Sequence, residues 1–184
     1  RSLGIERCVV TLVTQTVVDQ NDPAFANPSK PIGPFYTSDE AERKVAELGW
    51  NVIEDANRGW RRVVPSPMPR RVVEAEAISA LLKHGCVVIG VGGGGIPVVE
   101  EDGDLSGVEA VIDKDHASRL LANQIGASLF IMSTDVEQVS LYFGRKKEVR
   151  LSSMTVEEAL KYHAEGHFPP GSMGPKVMAS VEFL

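Results

Sequence analysis

Runs of apolar residues separated by amphipathic stretches organise most of the chain. Residues 7–18 (RCVVTLVTQTVV) are rich in Val and Thr, which pack well on a pleated surface, so they predict a first strand. After residue 71 the pattern becomes regular: helix VVEAEAISALLKHG, strand CVVIGV, helix KDHASRLLANQIG and strand ASLFIMST follow one another. Gly85 and Gly126 are placed to end the two helices. The remainder, VSLYFG, TVEEALKYHAEG and SMGPKVMASVEFL, predicts one more strand and two helices.

This alternation of strands and helices indicates the fold class. Continuous apolar strands bury both of their faces, and the amphipathic helices between them supply the cover. The sequence therefore predicts an α/β fold with an open, mostly parallel sheet sandwiched between helices.

Residues 19–69 interrupt that regular pattern. The segment NDPAFANPSKPIGPFY is rich in proline, and it is followed by the helix SDEAERKVAEL ending at Gly49, by WNVIEDA, by a turn at residues 57–59 and by WRRVVP. Proline removes the backbone donor that a central strand needs. We therefore predict an inserted, protruding subdomain, a small hairpin with a short helix, within one domain that takes up residues 1–184.

Composition and charge exclude several classes of protein. The 184 residues carry 19 basic and 25 acidic side chains, a net charge of −6, and 43% of them are hydrophobic, which suits a globular domain. Without a basic tract or a long apolar run, neither nucleic acid nor a membrane is an expected partner. Cys8 and Cys86 lie in apolar runs, which predicts two buried, reduced thiols and a cytoplasmic protein. Because the chain opens at Arg1 and MASVEFL ends in helical rhythm, we expect a fragment.

A run of four glycines, Gly92, Gly93, Gly94 and Gly95, follows the strand CVVIGV. Residues without side chains at the C-terminal end of a parallel strand allow backbone N–H groups to approach an anion. A dinucleotide fingerprint requires a helix next, whereas IPVV follows here, and no Lys-Ser/Thr pair completes a P-loop. The run predicts an anion cradle, and a flexible surface turn is the alternative.

Two lysines occupy the predicted starts of helices, where the helix dipole disfavours a cation. Lys114 precedes Asp115 in IDKDHAS, and Lys176 follows Ser172, Met173 and Gly174 in PGSMGPK. Asp115 alone is explained by the dipole, but the lysines indicate an anion at both ends. Together with the glycine run they favour phosphoryl transfer, which needs cations and N–H donors around the moving group.

Other polar positions give weaker indications. Thr134 and Asp135 end the apolar strand ASLFIMST, where capping of the next turn and nucleotide contact are equally good explanations. Lys30 lies in the subdomain, where most lysines are merely solvated. His163 and His167 lack the spacing of a zinc motif, so no metal ligands are predicted.

Several segments together resemble the carbamate kinases of the amino acid kinase superfamily. They are NDPAFANPSKPIGPFY, EDANRGWRRVVPSP, VGGGGIPVV, GVEAVIDKDHAS and FPPGSMGPKV, in the family's order along nearly the whole chain. The resemblance implies phosphoryl transfer between carbamoyl phosphate and ADP to give ATP and carbamate. It further implies Mg²⁺ carried on the nucleotide, a homodimer, and a role in arginine metabolism.

The resemblance also implies roles for individual residues. Lys114 and Lys176 match the lysines that stabilise the moving phosphoryl group, Asp115 matches the acidic residue that organises them, and Lys30 matches the subdomain lysine that reaches the carbamate. The glycines at 92–95 would bind carbamoyl phosphate. The nucleotide-binding edge would be formed by Thr134, Asp135, Ser172, Met173 and Gly174.

The chain departs from the family pattern at its ends. Members carry an N-terminal portion with a Gly-Gly-Asn loop that this sequence lacks, so we expect the chain alone to be inactive although the complete protein is a kinase. Two alternatives remain open: an amino acid kinase for another small carboxylate such as acetylglutamate or glutamate, and an inactive nucleotide-binding or dimerisation module.

Overall fold

The computed structural model describes residue 4, residues 6–55 and residues 58–184, which form strands β1 to β11 and helices α1 to α5. The strands are β1 (Val9–Thr11), β2 (Gln15–Val18), β3 (Lys30–Tyr36), β4 (Asn51–Glu54), β5 (Trp60–Val64), β6 (Pro69–Val72), β7 (Val87–Ile89), β8 (Ile96–Glu101), β9 (Asp104–Gly107), β10 (Val139–Leu141) and β11 (Val149–Leu151). The helices are α1 (Ser38–Leu48), α2 (Ala75–Lys83), α3 (Lys114–Gln124), α4 (Val156–Ala164) and α5 (Met173–Phe183).

Parallel pairs form the centre of the main sheet region. Strand β1 pairs with β7 and β2 pairs with β8, both in parallel, while β6 and β9 add antiparallel edges to the order β6-β2-β8-β9. The α/β class is confirmed. The sheet is not wholly parallel, because β6 and β9 pair in the antiparallel direction. The short turn before β9 and the return of the chain at β6 allow this pairing without a crossover helix.

The single strand predicted at residues 7–18 is divided into β1 and β2. The chain changes partner between them: Leu12 N donates to Ile89 O at 2.9 Å, whereas the Thr14 carbonyl accepts from Ile96 N at 2.8 Å. Thr14 is buried and Val13 is 77% exposed. The division brings the buried Thr14 and Thr16 side chains next to the glycine run.

The segment that the sequence predicts as a protruding subdomain, called the subdomain below, contains a separate antiparallel sheet in the order β3-β5-β4, and helix α1. Thr37 and Glu40 form a reciprocal capping box at the start of α1, and Gly49 ends it in the left-handed conformation. The predicted hairpin and helix are therefore present with one further strand. The boundaries at 19 and 69 stay a prediction, and the turn predicted at 57–59 falls partly outside the described residues.

The strand predicted at residues 127–134 is absent. This segment has no regular secondary structure, and no strand among the described residues pairs with it. An extended segment without a neighbour cannot complete a hydrogen-bond ladder, whatever its apolar content. Leu129 and Ile131 are accordingly 70% and 77% exposed.

Helix α3 is held by the main core at its start and by α5 along its length. Ile112 and Ala117 belong to the same buried cluster as Val18 and Val72. On the other side, Arg119 pairs with Glu182 of α5 at 2.6 Å. These contacts fix the N-terminal end of α3, where the candidate site lies.

The exposure of the two cysteines differs from the one that the sequence predicts. Both cysteines are free, but Cys8 is exposed and Cys86 is only half-buried, so the expectation of buried thiols is wrong. Each cysteine directly precedes a strand instead of lying within it, so the apolar run does not enclose its side chain. Across the described residues, no helix has both the length and the apolar character that crossing a bilayer requires.

Candidate functional site

The N-terminal end of α3 is the centre of the candidate site. Asp113 caps the helix, and its Oδ1 accepts a hydrogen bond from Asp115 N at 2.9 Å. Lys114 is the first helical residue and is exposed, with no acidic partner among the residues that the structure describes. A cation without a counter-charge at this end of a helix is electrostatically unfavourable, so Lys114 makes the site receptive to an anion.

Lys176 lies beside the same helix end because Asp115 holds it there. Its Nζ donates to both carboxylate oxygens of Asp115, at 3.0 and 3.1 Å. Asp115 is buried, and its side chain is 11% exposed. A buried carboxylate with one cation attached in this way fixes the ammonium group in position, and truncating Lys176 leaves Asp115 buried and unpaired.

Helix α5 begins one residue after the start of the predicted segment SMGPKVMASVEFL. Its first residue is Met173, so Pro175 is its third residue and Lys176 its fourth. Ser172 makes no side-chain cap, and Gly174 N donates instead to Pro169 O at 2.9 Å. Proline is tolerated here because N–H groups in the first turn have no partner within the helix.

Lys30 reaches the same helix end from the subdomain. Its Nζ contacts Asp113 Oδ2 at 2.5 Å, across 83 residues of sequence. Burial alone would raise the pKa of Asp113, but the hydrogen bonds from Lys30 and from Asp115 N hold this pKa below its ordinary value. Asp113 therefore has two functions, capping α3 and attaching the subdomain to it.

A change of Asp113 to Asn separates these two functions. Asparagine keeps the cap and loses the ion pair, so we expect a cost of about 1 kcal/mol near neutral pH, whereas Asp113→Ala should cost about 1 kcal/mol more. Because the folded-state pKa is lowered, the stabilisation is full above the ordinary pKa and is lost as pH falls through the lowered value. Urea unfolding between about pH 7 and pH 3 measures both effects. Equal acid sensitivity in the wild type and Asp113→Asn would contradict this assignment.

The glycine run forms a tight turn that packs against the start of α3. Gly92–Gly94 form a short 3-10 turn, and strand β8 follows, as the sequence argument against a dinucleotide fold required. A Cβ on Gly94 would lie 2.5 Å from Ile112 O, and one on Gly95 would overlap Thr16 Oγ1. Thr16 Oγ1 in turn donates to Gly94 O at 2.9 Å. The second half of the run, Gly94 and Gly95, is thus packed closely against the fold.

The four glycines have different functions. The N–H groups of Gly94 and Gly95 are used within the turn, bonding to Val91 O and Gly92 O. A side chain would find open space at Gly92 and Gly93, and Gly93 has a φ of +66°. The second half of the run serves close packing, so the open backbone of Gly92 and Gly93 is the part that can approach an anion.

The residues predicted for the nucleotide edge also come together. A cavity of about 260 Å³ is bordered by Thr134, Asp135, Ser172, Met173 and Lys176. Gly174 is buried directly behind it at the start of α5. Thr134 Oγ1 donates to Asp135 Oδ1 at 3.2 Å, so part of their polar capacity is used locally. Lys176 is the member that this cavity shares with the α3 site.

A second cavity, of about 440 Å³, lies between the subdomain and the start of α3. It is bordered by Lys30, Asp113 and His116, and from the subdomain by Arg58 and Arg61. Asp55 pairs with both arginines, at 3.2 and 3.3 Å. The lining carries more cationic than anionic groups, which suits a small anion.

Sequence reasoning missed several of these residues. Asp113 was visible as the helix cap before Lys114, but its bond to Lys30 depends on the subdomain fold. Thr14 and Thr16 are typical strand residues in the sequence, so they gave no sign of a special role. In the structure Thr14 Oγ1 accepts a hydrogen bond from Val91 N at 2.9 Å, just before the glycine run. Arg58 and Arg61 carried no signal. Within the described ranges, no three His, Cys, Asp or Glu side chains are grouped closely enough to bind a metal ion.

Comparison with known proteins gives a consistent result. The model of the amino acid kinase family matches residues 21–184. Carbamate kinases from Pyrococcus furiosus and Thermococcus kodakarensis are 55% and 54% identical over the whole chain, which covers 59% and 58% of their lengths. A solved carbamate kinase from Giardia lamblia bound to AMP-PNP superposes with a TM-score of 0.86 at 44% identity, over 99% of this chain and 58% of that one.

The chain therefore spans a little under three fifths of the length of the relatives that it matches. The matched family model nevertheless extends over most of the chain, and the α/β fold agrees with it. We conclude that this chain belongs to the amino acid kinase family.

Proposed function

We propose that the protein transfers a phosphoryl group between carbamoyl phosphate and ADP, giving ATP and carbamate. The observation that carries this proposal is the meeting of three features at one helix end. They are the exposed Lys114, the Lys176–Asp115 pair and the glycine run packed on Ile112. The names of the relatives, carbamate kinases at 55% and 54% identity, supply the substrate class.

The proposed transfer is a direct in-line displacement. The bond between phosphorus and the carbamate oxygen breaks while a bond to a β-phosphate oxygen of ADP forms, with no covalent enzyme intermediate. Charge accumulates on the three equatorial oxygens, so the protein contributes mainly by positioning and electrostatics. Lys114 and Lys176 supply the positive charge. The two hydrogen bonds from Lys176 Nζ to Asp115 fix the position of the Lys176 ammonium group.

The two cavities divide the substrates in this scheme. Thr134, Asp135 and the start of α5 border the nucleotide side, while Lys30 borders the carbamoyl side. Lys176 lines the nucleotide cavity and touches the α3 site, so it stands where the two substrates would meet. Gly92 and Gly93 would offer backbone donors to the carbamoyl phosphate.

Mg²⁺ forms part of the proposal as a companion of the nucleotide. This ion keeps several waters and is usually bound through substrate phosphates and one or two carboxylates. The two carboxylates at the site, Asp113 and Asp115, are already paired with lysines. We therefore place the ion on the phosphates of ADP or ATP, where it lowers the charge that the lysines must offset.

The resemblance suggests a homodimer and a role in arginine metabolism. A cytoplasmic location is supported by the two free thiols, which are typical of a reducing compartment.

The test of this function is a substrate comparison with the intact polypeptide. ATP formation is measured from MgADP with carbamoyl phosphate, and ADP formation is measured from MgATP with acetylglutamate or glutamate. We expect turnover with carbamoyl phosphate alone. Turnover with the acids only would assign the protein to another branch of the family, and ADP binding by calorimetry without any turnover would favour the regulatory module.

Replacing Lys30 by alanine should affect the two substrates unequally. Because Lys30 borders the carbamoyl side and is held by Asp113, its loss should raise the KM for carbamoyl phosphate about tenfold, with a milder change for ADP. Lys83→Ala, at an exposed position in the last turn of α2, is the matched control. Equal changes in both KM values would contradict this placement of Lys30.

A further inference from the structure

The two cysteines of the chain lie side by side, although 78 positions separate them in the sequence. Cys8 directly precedes β1 and Cys86 directly precedes β7, and these parallel strands pair Val9 with Val87 and Val10 with Val88. Val87 N donates to Cys8 O at 2.8 Å, so the register continues to the cysteines. Residues that are partners across a ladder point to the same face, which brings the thiols together.

This spacing is compatible with a covalent bond between the sulfur atoms. Neighbouring strands lie about 4.8 Å apart, and disulfides span Cα separations of about 4.4–6.8 Å. Disulfides prefer about 3.8 Å between the Cβ atoms, so the two cysteines must approach each other by about 1 Å from the usual strand spacing. Both residues lie just outside the regular strands, where the backbone can make this shift.

The two thiols differ in their surroundings. The C-terminal turn of α2 holds Cys86, whose N donates to Leu81 O at 3.1 Å beside the bond from Gly85 N to Leu82 O. Burial, and contact with the Cys8 thiol, raise the pKa of Cys86. Cys8 is exposed. An incoming reagent therefore meets Cys8 first, with Cys86 fixed behind it.

We propose that Cys8 and Cys86 form a reversible dithiol–disulfide site that reacts with low-molecular-weight disulfides. The Cys8 thiolate attacks one sulfur of the reagent, forming a mixed disulfide and releasing one thiolate. Cys86 then loses its proton to solvent and attacks Cys8 Sγ, which releases the second thiolate. The cysteine pair is oxidised by two electrons, and the reagent is reduced to two thiols.

The site is separate from the phosphoryl-transfer chemistry. The cysteines lie at the N-terminal ends of β1 and β7, whereas the glycine run follows the C-terminal end of β7. The three residues of β7 lie between them and alone span about 10 Å. The disulfide would tie β1 to the turn between α2 and β7, so it acts on the stability of the sheet and leaves the substrates untouched.

The test uses oxidised glutathione on the intact polypeptide, followed by peptide mapping without reduction. We expect a peptide that links Cys8 to Cys86, with only a transient glutathione adduct on Cys8, and full reversal by dithiothreitol. In Cys86→Ser the adduct on Cys8 should persist. In Cys8→Ser, Cys86 should react about tenfold more slowly than Cys8 does in Cys86→Ser.

Three results would overturn the proposal: a stable adduct on Cys8 in the wild type, a disulfide between two chains through Cys8, or unmodified thiols after prolonged exposure. The decisive measurement is made on the wild type, so the test remains conclusive even if a serine variant folds poorly. Turnover should be the same before and after oxidation, because neither cysteine touches the candidate site.

Discussion

In the intact enzyme, Lys176→Ala is expected to lower kcat by about 10²–10³, the usual cost of losing one preorganised electrostatic donor. Two physical effects act together here. The cation that lies between the nucleotide cavity and α3 is lost, and the buried Asp115 is left as an unpaired anion facing an incoming phosphate. The protein should also become less stable, since removing one partner of a buried pair is costly.

Lys114→Ala separates catalysis from stability. Lys114 is exposed and has no acidic partner in the described part of the chain, so its loss should lower kcat by a similar factor of about 10²–10³ while leaving the melting temperature nearly unchanged. Steady-state kinetics and thermal unfolding on both variants measure the contrast. Near-normal turnover in both would remove the lysines from the site and with them the main support for phosphoryl transfer.

The second large effect is expected at the end of the glycine run. Gly95→Ala should destabilise the fold by about 2–6 kcal/mol, as the sum of backbone strain and overpacking. Its φ is +84°, and the added Cβ would overlap Thr16 Oγ1, which is itself fully buried and bonded to Gly94 O. Native domains are stable by only about 5–15 kcal/mol, so this variant should unfold at a much lower urea concentration.

Gly92→Ala is the matched control within the same run. A Cβ at Gly92 meets nothing within 4 Å, and its φ lies outside the left-handed range. We therefore expect a stability change within about 0.5 kcal/mol and, if this backbone approaches the carbamoyl phosphate, a raised KM for that substrate. A Gly92→Ala variant as unstable as Gly95→Ala would show that the whole run serves packing.

Local chemistry made much of the site predictable. Lys114, Asp115 and Lys176 carry their signal in the sequence, because a cation at the start of a helix is unfavourable without an anion or an acidic partner. The structure adds that Lys176 has such a partner in Asp115, whereas Lys114 has none in the part described. What the sequence could not show is which lysine uses which carboxylate, since Lys30 and Asp113 meet only through folding across 83 residues.

The strand predicted at residues 127–134 is not formed, and it shows where local sequence chemistry is insufficient. Its apolar run is as strong as that of β7, but strand formation depends on a partner for backbone hydrogen bonds as well as on composition. Residues 87–89 find that partner in β1, and residues 127–134 find none among the described residues. Periodicity therefore identified the segment as apolar and extended, and tertiary pairing decided its structure.

The aromatic residues of the subdomain have a practical consequence. The sequence contains two tryptophans, Trp50 and Trp60, and both belong to this subdomain. The Trp50 ring lies 4.8 Å from Lys44 Nζ and 4.8 Å from the Arg62 guanidinium carbon, so its emission depends on how those cations are arranged. Tryptophan fluorescence from these two residues is thus an optical probe of this one part of the chain, and it needs no attached dye.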